Sequence, residues 1–302
     1  MNKKKLIIGL GNQGKKRLKF LNKKNTIFFD TITNNTSIKN FDDIDLNQVD
    51  YAYLCTPDEY KISYLKKILP YKINTLVEKP LLFKNKDEYN QIFSLLKKYN
   101  PILYTSYNHI FEKSLIDAKK DIHYKKLGKI NRIKIVYANG TQSNVKNSWR
   151  DSNNGIIRDI GCHLLSMLIY LFDNSNIQIT ASNNYIYSNQ CFDHALILGK
   201  IAKIDFQLEL SYHYWKNTFE IYIIGEKANL KISSLSKWSK PYTKEIIIKK
   251  FPSGIPKIIK KTYKSIDNTW SDEFKYFTSG KINSKKLLKQ DYIISNLISK
   301  IT

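Results

Sequence analysis

Cysteine is scarce in this chain of 302 residues, and the three present, Cys55, Cys162 and Cys191, form no CxxC pair. That excludes a disulfide-stapled scaffold and the usual zinc spacings, so no metal is expected. A scattered, odd set fits reduced thiols in a reducing compartment. Arginine is scarcer still for its class: of 50 cationic side chains only Arg17, Arg132, Arg150 and Arg158 are arginines. Acidic residues number 26, which leaves a formal net charge of +24. Such an excess can mark a polyanion partner. Phosphate and base readers lean on arginine forks, however, and the lysines here run along the whole chain instead of forming one block. With Asn and Ile also abundant, the charge reads as AT-rich coding, and neither nucleic acid nor a membrane is expected as partner. No apolar run reaches the ~18 residues of a spanning helix. The start, "MNKKKLIIGLGNQG", is basic and then apolar, like a secretion signal. Its apolar part, "LIIGL", is too short for a signal core and runs into glycines, so a cytoplasmic location is expected.

What is present is enough for two domains with a sizeable core: 42% of residues are hydrophobic. Apolar runs rich in Ile and Val at 4–10, 25–30, 49–57, 73–81 and 101–108 read as buried strands. Helical patterns fall between them, at 15–24, 58–71 and 85–100; the last has acids in its first turn and lysines in its last. The polar stretch 31–48 reads as one short strand or a turn. Strand–helix alternation over about 110 residues predicts βαβ units and a parallel sheet. The pattern then changes. Segments 130–139, 176–189, 194–214, 217–233 and 243–251 read as long strands, with a helix over 157–172 and a final helix near 285–300. The second half is thus expected to be a mainly antiparallel sheet with helices on one face.

"GLGNQG" places Gly9, Gly11 and Gly14 between the first strand and the first helix. The first glycine makes the tight turn, the second lets backbone approach a pyrophosphate, and the third lets helix and strand pack closely. Asn12 and Gln13 fall where helix N–H groups would face the phosphates. Asp30 stands 21 residues after Gly9, at the end of the second strand, where a carboxylate accepts from adenosine ribose hydroxyls. It would repel a 2′-phosphate, so NAD is expected over NADP.

Four features then occur in order: GxGxxG at 9–14, "TP" at 56–57, "EKP" at 78–80 and "DIGCH" at 159–163. Together they resemble the Gfo/Idh/MocA oxidoreductases, the glucose–fructose oxidoreductase and inositol dehydrogenase group. "YNHIF" (107–111) and "DNTWSDEF" (267–274) are similar to further segments of that family. The resemblance implies an α/β chain: an N-terminal Rossmann dinucleotide-binding domain, set here at 1–118, and a C-terminal α/β domain with a mainly antiparallel open sheet at 119–302, the last helix packing back on the first domain. It implies Thr56 and Pro57 beneath the adenosine ribose, Glu78 near the nicotinamide ribose, and Lys79, Asp159 and His163 as the catalytic trio. Asn108, Trp149 and Arg150 are further candidates for substrate contact. Departures stand at Lys61, Ile110, Asn154 and Ser166, where the family often has His, Arg, Gly and Asp.

The residues suit the chemistry. An imidazole exchanges protons near neutral pH, as the oxidation of a secondary alcohol requires. Asp159, one helical turn before His163, would orient it or bind a substrate hydroxyl. Gly161 between them is expected to leave room for a ring. The Lys79 ammonium, after a strand's carboxyl end, can polarise the reacting oxygen. Arg150 could fork onto a carboxylate or phosphate, and Trp149 could stack on a sugar face. The expected substrate is a sugar or sugar derivative, with a nucleotide-linked sugar of surface-polysaccharide synthesis preferred. A free sugar or cyclitol, and a non-catalytic dinucleotide-binding sensor or scaffold, are the alternatives. The long second-half strands predict a homodimer or homotetramer through that sheet, with Tyr212, Tyr214, Trp215 and Tyr222 as contacts.

Overall fold

A computed structural model describes residues 3–32, 38, 40–238, 241–250 and 254–301. The chain divides into two compact units. One comprises residues 1–107 and 271–295, the other 108–270 and 296–302.

In the first unit, β1 (Lys4–Ile8) runs into α1 (Asn12–Leu18), followed by β2 (Thr26–Phe29), β3 (Val49–Leu54), α2 (Asp58–Ile68), β4 (Asn74–Glu78), α3 (Lys86–Tyr99) and β5 (Leu103–Ser106). The strands pair in the order β2-β1-β3-β4-β5, every pair parallel. Leu6, Ile7, Ile8, Ala52, Leu54, Leu76 and Val77 are buried; continuous apolar runs are what a sheet covered on both faces requires. α3 starts where the Asn85 side chain accepts from the Glu88 N–H at 3.0 Å and stops at Asn100 in the left-handed region. Segment 31–48 carries two short 3₁₀ turns, Phe41–Asp43 and Leu46–Gln48, capped by Asn40 and Asp45. Residues 33–37 and 39, part of that expected strand or turn, lie outside the described residues.

The second unit holds α4 (Lys113–His123), β6 (Ile130–Ala138), α5 (Gln142–Val145), a π-helical turn at Ile157–Gly161, and α6 (Cys162–Phe172). β7 (Ile177–Tyr185), β8 (His194–Ile201), β9 (Ile204–Ser211), β10 (Thr218–Gly225), β11 (Ala228–Ser233), β12 (Thr243–Ile248) and β13 (Lys257–Thr262) follow. The sheet order is β13-β12-β11-β10-β6-β9-β8-β7, antiparallel except for the β6–β9 pair. Inward residues such as Ile197, Leu208, Ile221 and Leu230 are buried, while Leu198, Lys200, Glu220 and Ile224 face outward. This is the period-2 pattern of a sheet packed on one side. α7 (Thr269–Thr278) and α8 (Ser284–Lys300) close the chain.

The structure differs from the expectation in several places; segment 217–233 is two strands, β10 and β11, and α4 was not expected. The first unit's opening stretch runs to residue 107 and the unit also takes in 271–295, while α4 packs with α6, β11 and β12 inside the second unit. Segment 194–214 is two strands, not one: Ala202 (φ +54°) and Lys203 turn the chain back without a Gly, Pro or Asn. Strand β13 is wholly exposed and shows no alternation to read. The expected helix 157–172 opens with a π turn.

Candidate active site

In the first unit the candidate residues stand at the carboxyl ends of adjacent parallel strands, the ligand edge of an open α/β sheet. Gly9 lies at φ +92°, and a Cβ there would come within 2.8 Å of the Cys55 carbonyl oxygen. A Cβ on Gly14 would sit 2.0 Å from the Gly9 oxygen. Gly11 differs, since a Cβ there would meet nothing within 4 Å. Its open side is where backbone can approach a ligand. Asn12 and Gln13 open α1. Gln13 Oε1 and Thr56 Oγ1 are buried with no hydrogen-bond partner among the described residues. Asp30 follows β2; its carboxylate accepts from the Leu10 N–H at 2.5 Å and the Ile32 N–H at 2.8 Å. The first bond braces the glycine loop against the strand end; the second closes a turn just after it.

Glu78 is buried and committed to an ion network. Arg17, on α1, reaches Glu78 at 2.7 Å and Glu273 at 2.8 Å, and donates to Ser106 Oγ. Charges this deep persist only when paired and hydrogen-bonded. The network ties α1 to the ends of β4 and β5. Glu78 is thus an anchor beside Lys79, one residue on. Its partner Arg17, the first of the four arginines, carried a signal only in its rarity. Lys61 on α2 is also buried, donating to Asp58 Oδ1 at 2.7 Å and to the Pro80 carbonyl at 2.8 Å. Burial pushes the Cys55 thiol well up, so it stays neutral.

In the second unit, Asp159 sits in the π turn and His163 in the first turn of α6. The Tyr212 hydroxyl donates to Asp159 Oδ2 at 2.9 Å, and Arg150 Nη1 lies 3.9 Å from the same oxygen. Burial and the adjacent Asp159 charge hold the Tyr212 phenol far above its usual range, so it remains a donor. Tyr212 is only 1% exposed; it is part of this site and not the subunit contact its sequence position suggested. The His163 ring lies 4.6 Å from the His109 ring, and Tyr137 Oη stands 3.4 Å from His109 Nε2. Neither His109 nor Tyr212 was expected here; each comes from a distant element, with no local spacing to announce it. Trp149 is half-exposed, with the Arg150 and Arg158 guanidiniums 5.8 and 5.2 Å from its ring. Arg158 donates to the Trp149 carbonyl and fixes the segment.

At Gly161 a Cβ would meet Ile157 and Leu210 at 3.5 Å, ordinary van der Waals contact, so the glycine lets this turn pack closely on β9. Asn108 is buried, its amide donating to Thr269 Oγ1 at 3.0 Å, and so it braces the segment before α7. Among the described residues no group of His, Cys, Asp and Glu could hold a metal ion, and no helix is long and apolar enough to cross a membrane.

Residues 116–231 match the GFO/IDH/MocA C-terminal domain model. No curated protein matches the sequence. Among solved structures, an oxidoreductase of Desulfitobacterium hafniense, assigned as NADPH-dependent, is similar at TM-score 0.80 and 15% identity, over 100% of this chain and 96% of that one. Levoglucosan dehydrogenase, in complex with NADH and levoglucosan, follows at TM-score 0.77 and 13% identity, over 100% and 98%. Myo-inositol 2-dehydrogenase from Lactobacillus plantarum is similar at TM-score 0.72 and 16% identity, again over 100% and 98%. At such identities the likeness is one of fold. The sequence match is thus confined to residues 116–231, and the whole chain shares the fold of these oxidoreductases.

Proposed function

We propose that the protein is an NAD(H)-dependent oxidoreductase that moves a hydride between nicotinamide and a secondary hydroxyl or ketone of a sugar-type substrate. The observation that carries this reading is the glycine loop. Gly11 is open on the side where a pyrophosphate would lie, and the buried Gln13 Oε1 and Thr56 Oγ1 offer polar atoms that a bound dinucleotide would satisfy. Asn12 and Gln13 would meet the phosphates, Asp30 the adenosine ribose, and Thr56 and Pro57 the space beneath it. When bound, the nicotinamide supplies the hydride acceptor.

The chain's own residues do the rest. His163 takes the hydroxyl proton, and Asp159, held by Tyr212, sets the imidazole or a substrate hydroxyl in place. The Lys79 ammonium polarises the reacting oxygen. Trp149 offers a half-exposed ring for a sugar face, and Arg150 a guanidinium for an anionic group. That charge favours a nucleotide-linked or acidic sugar. A free sugar or cyclitol is the second reading, supported by the fold shared with levoglucosan and inositol dehydrogenases.

Screening NAD reduction against nucleotide sugars, uronates and polyols tests the reading, followed by Lys79→Ala and His163→Ala. Each variant is expected to keep NADH binding and lose about 10²–10⁴-fold in turnover. Near wild-type turnover in either would remove that residue from the mechanism.

A further inference from the structure

Lys61 is the most deeply buried lysine described, 1% exposed, and the proposed mechanism does not use it. It lies in the first turn of α2, away from the surface where lysine normally holds its charge. Its ammonium is held from two sides, by Asp58 Oδ1 at 2.7 Å and by the Pro80 carbonyl at 2.8 Å. A third group faces it from α8: the buried Asp291 carboxyl, hydrogen-bonded by Thr105 at 2.8 Å, lies within reach of the Lys61 charge. Pro80 immediately follows Lys79. On the other side of Lys79, Glu78 is fixed by its ladder position opposite Ser106 and by Arg17. The backbone at Lys79 is therefore held at both neighbours, and Lys61 is one of the two holds.

We propose that Lys61 is a positioning residue for Lys79: its buried ammonium clamps the Pro80 carbonyl and thereby fixes where the Lys79 side chain starts. The proposal rests on the reading that Lys79 serves a dinucleotide-dependent site. A hydrogen bond from a charged donor to a carbonyl is stronger than a neutral one. It orients the peptide on the far side of Pro80, whose ring already restricts φ. Lys61 touches neither substrate nor cofactor in this scheme; it acts through the turn.

The test uses the full chain and three variants. Lys61→Met keeps the length and removes the donor, Lys61→Arg keeps donor and charge, and Asp58→Asn loosens the second hold. One readout is the acylation rate of Lys79 by an amine-reactive ester across pH, resolved by peptide mass spectrometry, with exposed Lys216 as internal reference. Lys61→Met is expected to slow Lys79 labelling severalfold at every pH, since the turn from which the Lys79 side chain starts loses its charged donor. Lys61→Arg is expected to restore the wild-type profile, and Asp58→Asn to fall between. The other readout is NADH titration by fluorescence, expected to change little in all three. If Lys61→Met is folded and labels Lys79 as wild type does, the proposal is overturned. If Lys61→Met does not fold, Asp58→Asn decides by the same criterion. Absence of NADH binding in the wild type would instead refute the dinucleotide reading, and leave the labelling result to stand by itself.

Discussion

Asp30 shows how much one carboxylate can be asked to do. It accepts the Leu10 and Ile32 N–H groups, and in the proposed reading it also meets the adenosine ribose hydroxyls. A 2′-phosphate would meet its negative charge directly. NADH is expected to bind more tightly than NADPH by about tenfold or more, because like charges in contact cost several kcal/mol. Fluorescence titration of both cofactors checks this, and a preference for NADPH would refute the assignment. Tyr212 is the second residue-scale case. Tyr212→Phe removes the hydroxyl that donates to Asp159 Oδ2 at almost no change in volume. Turnover is expected to fall about tenfold, as bonds to charged groups contribute ~1.5–3 kcal/mol, with the melting temperature little changed. Unaltered kinetics would show that Asp159 does not depend on it.

At the scale of the element, α8 carries a titratable group inside the first unit. Burial pushes the Asp291 carboxyl up to about 7 against an ordinary 3.8, with the Thr105 bond and the Lys61 charge pulling the other way. A folded-state value above the unfolded one means that the folded state binds the proton more tightly. Stability from this group is greatest below about 4, falls as pH rises through about 7, and then levels; the full swing is of order 4 kcal/mol at most. Asp291→Asn is expected to flatten that part of the profile. Urea denaturation of wild type and variant at pH 5 and pH 8 measures it. Equal pH dependence in the two proteins would mean Asp291 does not titrate in this range. The same scale explains why α4 escaped the sequence reading. Its buried positions Ser114, Leu115, Ala118 and Asp121 include two polar residues, so the apolar stripe is broken.

The eight-stranded sheet buries one face, while on the other Tyr222 lies opposite Lys134 and Lys231 on the neighbouring strands, and Leu198 and Ile224 stay exposed. Lysine stems can pack while their heads stay in water, and such a face can be covered by a self-complementary partner. We expect a dimer, or a tetramer of dimers, by light scattering at micromolar concentration and moderate salt. A mass near 35.4 kDa, one chain, would exclude it.

The sequence alone determined the order of elements and the glycine loop, because strand–helix alternation and a GxGxxG after a strand are local patterns dictated by burial period and backbone sterics. Asp159 and His163 were singled out by the resemblance of "DIGCH" to a family motif, a short-range pattern too. Only the tertiary structure decided which side chains meet them. Tyr212 reaches Asp159 across 53 residues and Arg17 reaches Glu78 across 61, and no periodicity within either segment encodes such a meeting. It also decided that Gly161 serves packing and Asn108 bracing, since the use of a small or polar residue depends on what the fold sets against it. The chain writes its elements locally; the partners of a buried polar group are chosen by the packing that buries it.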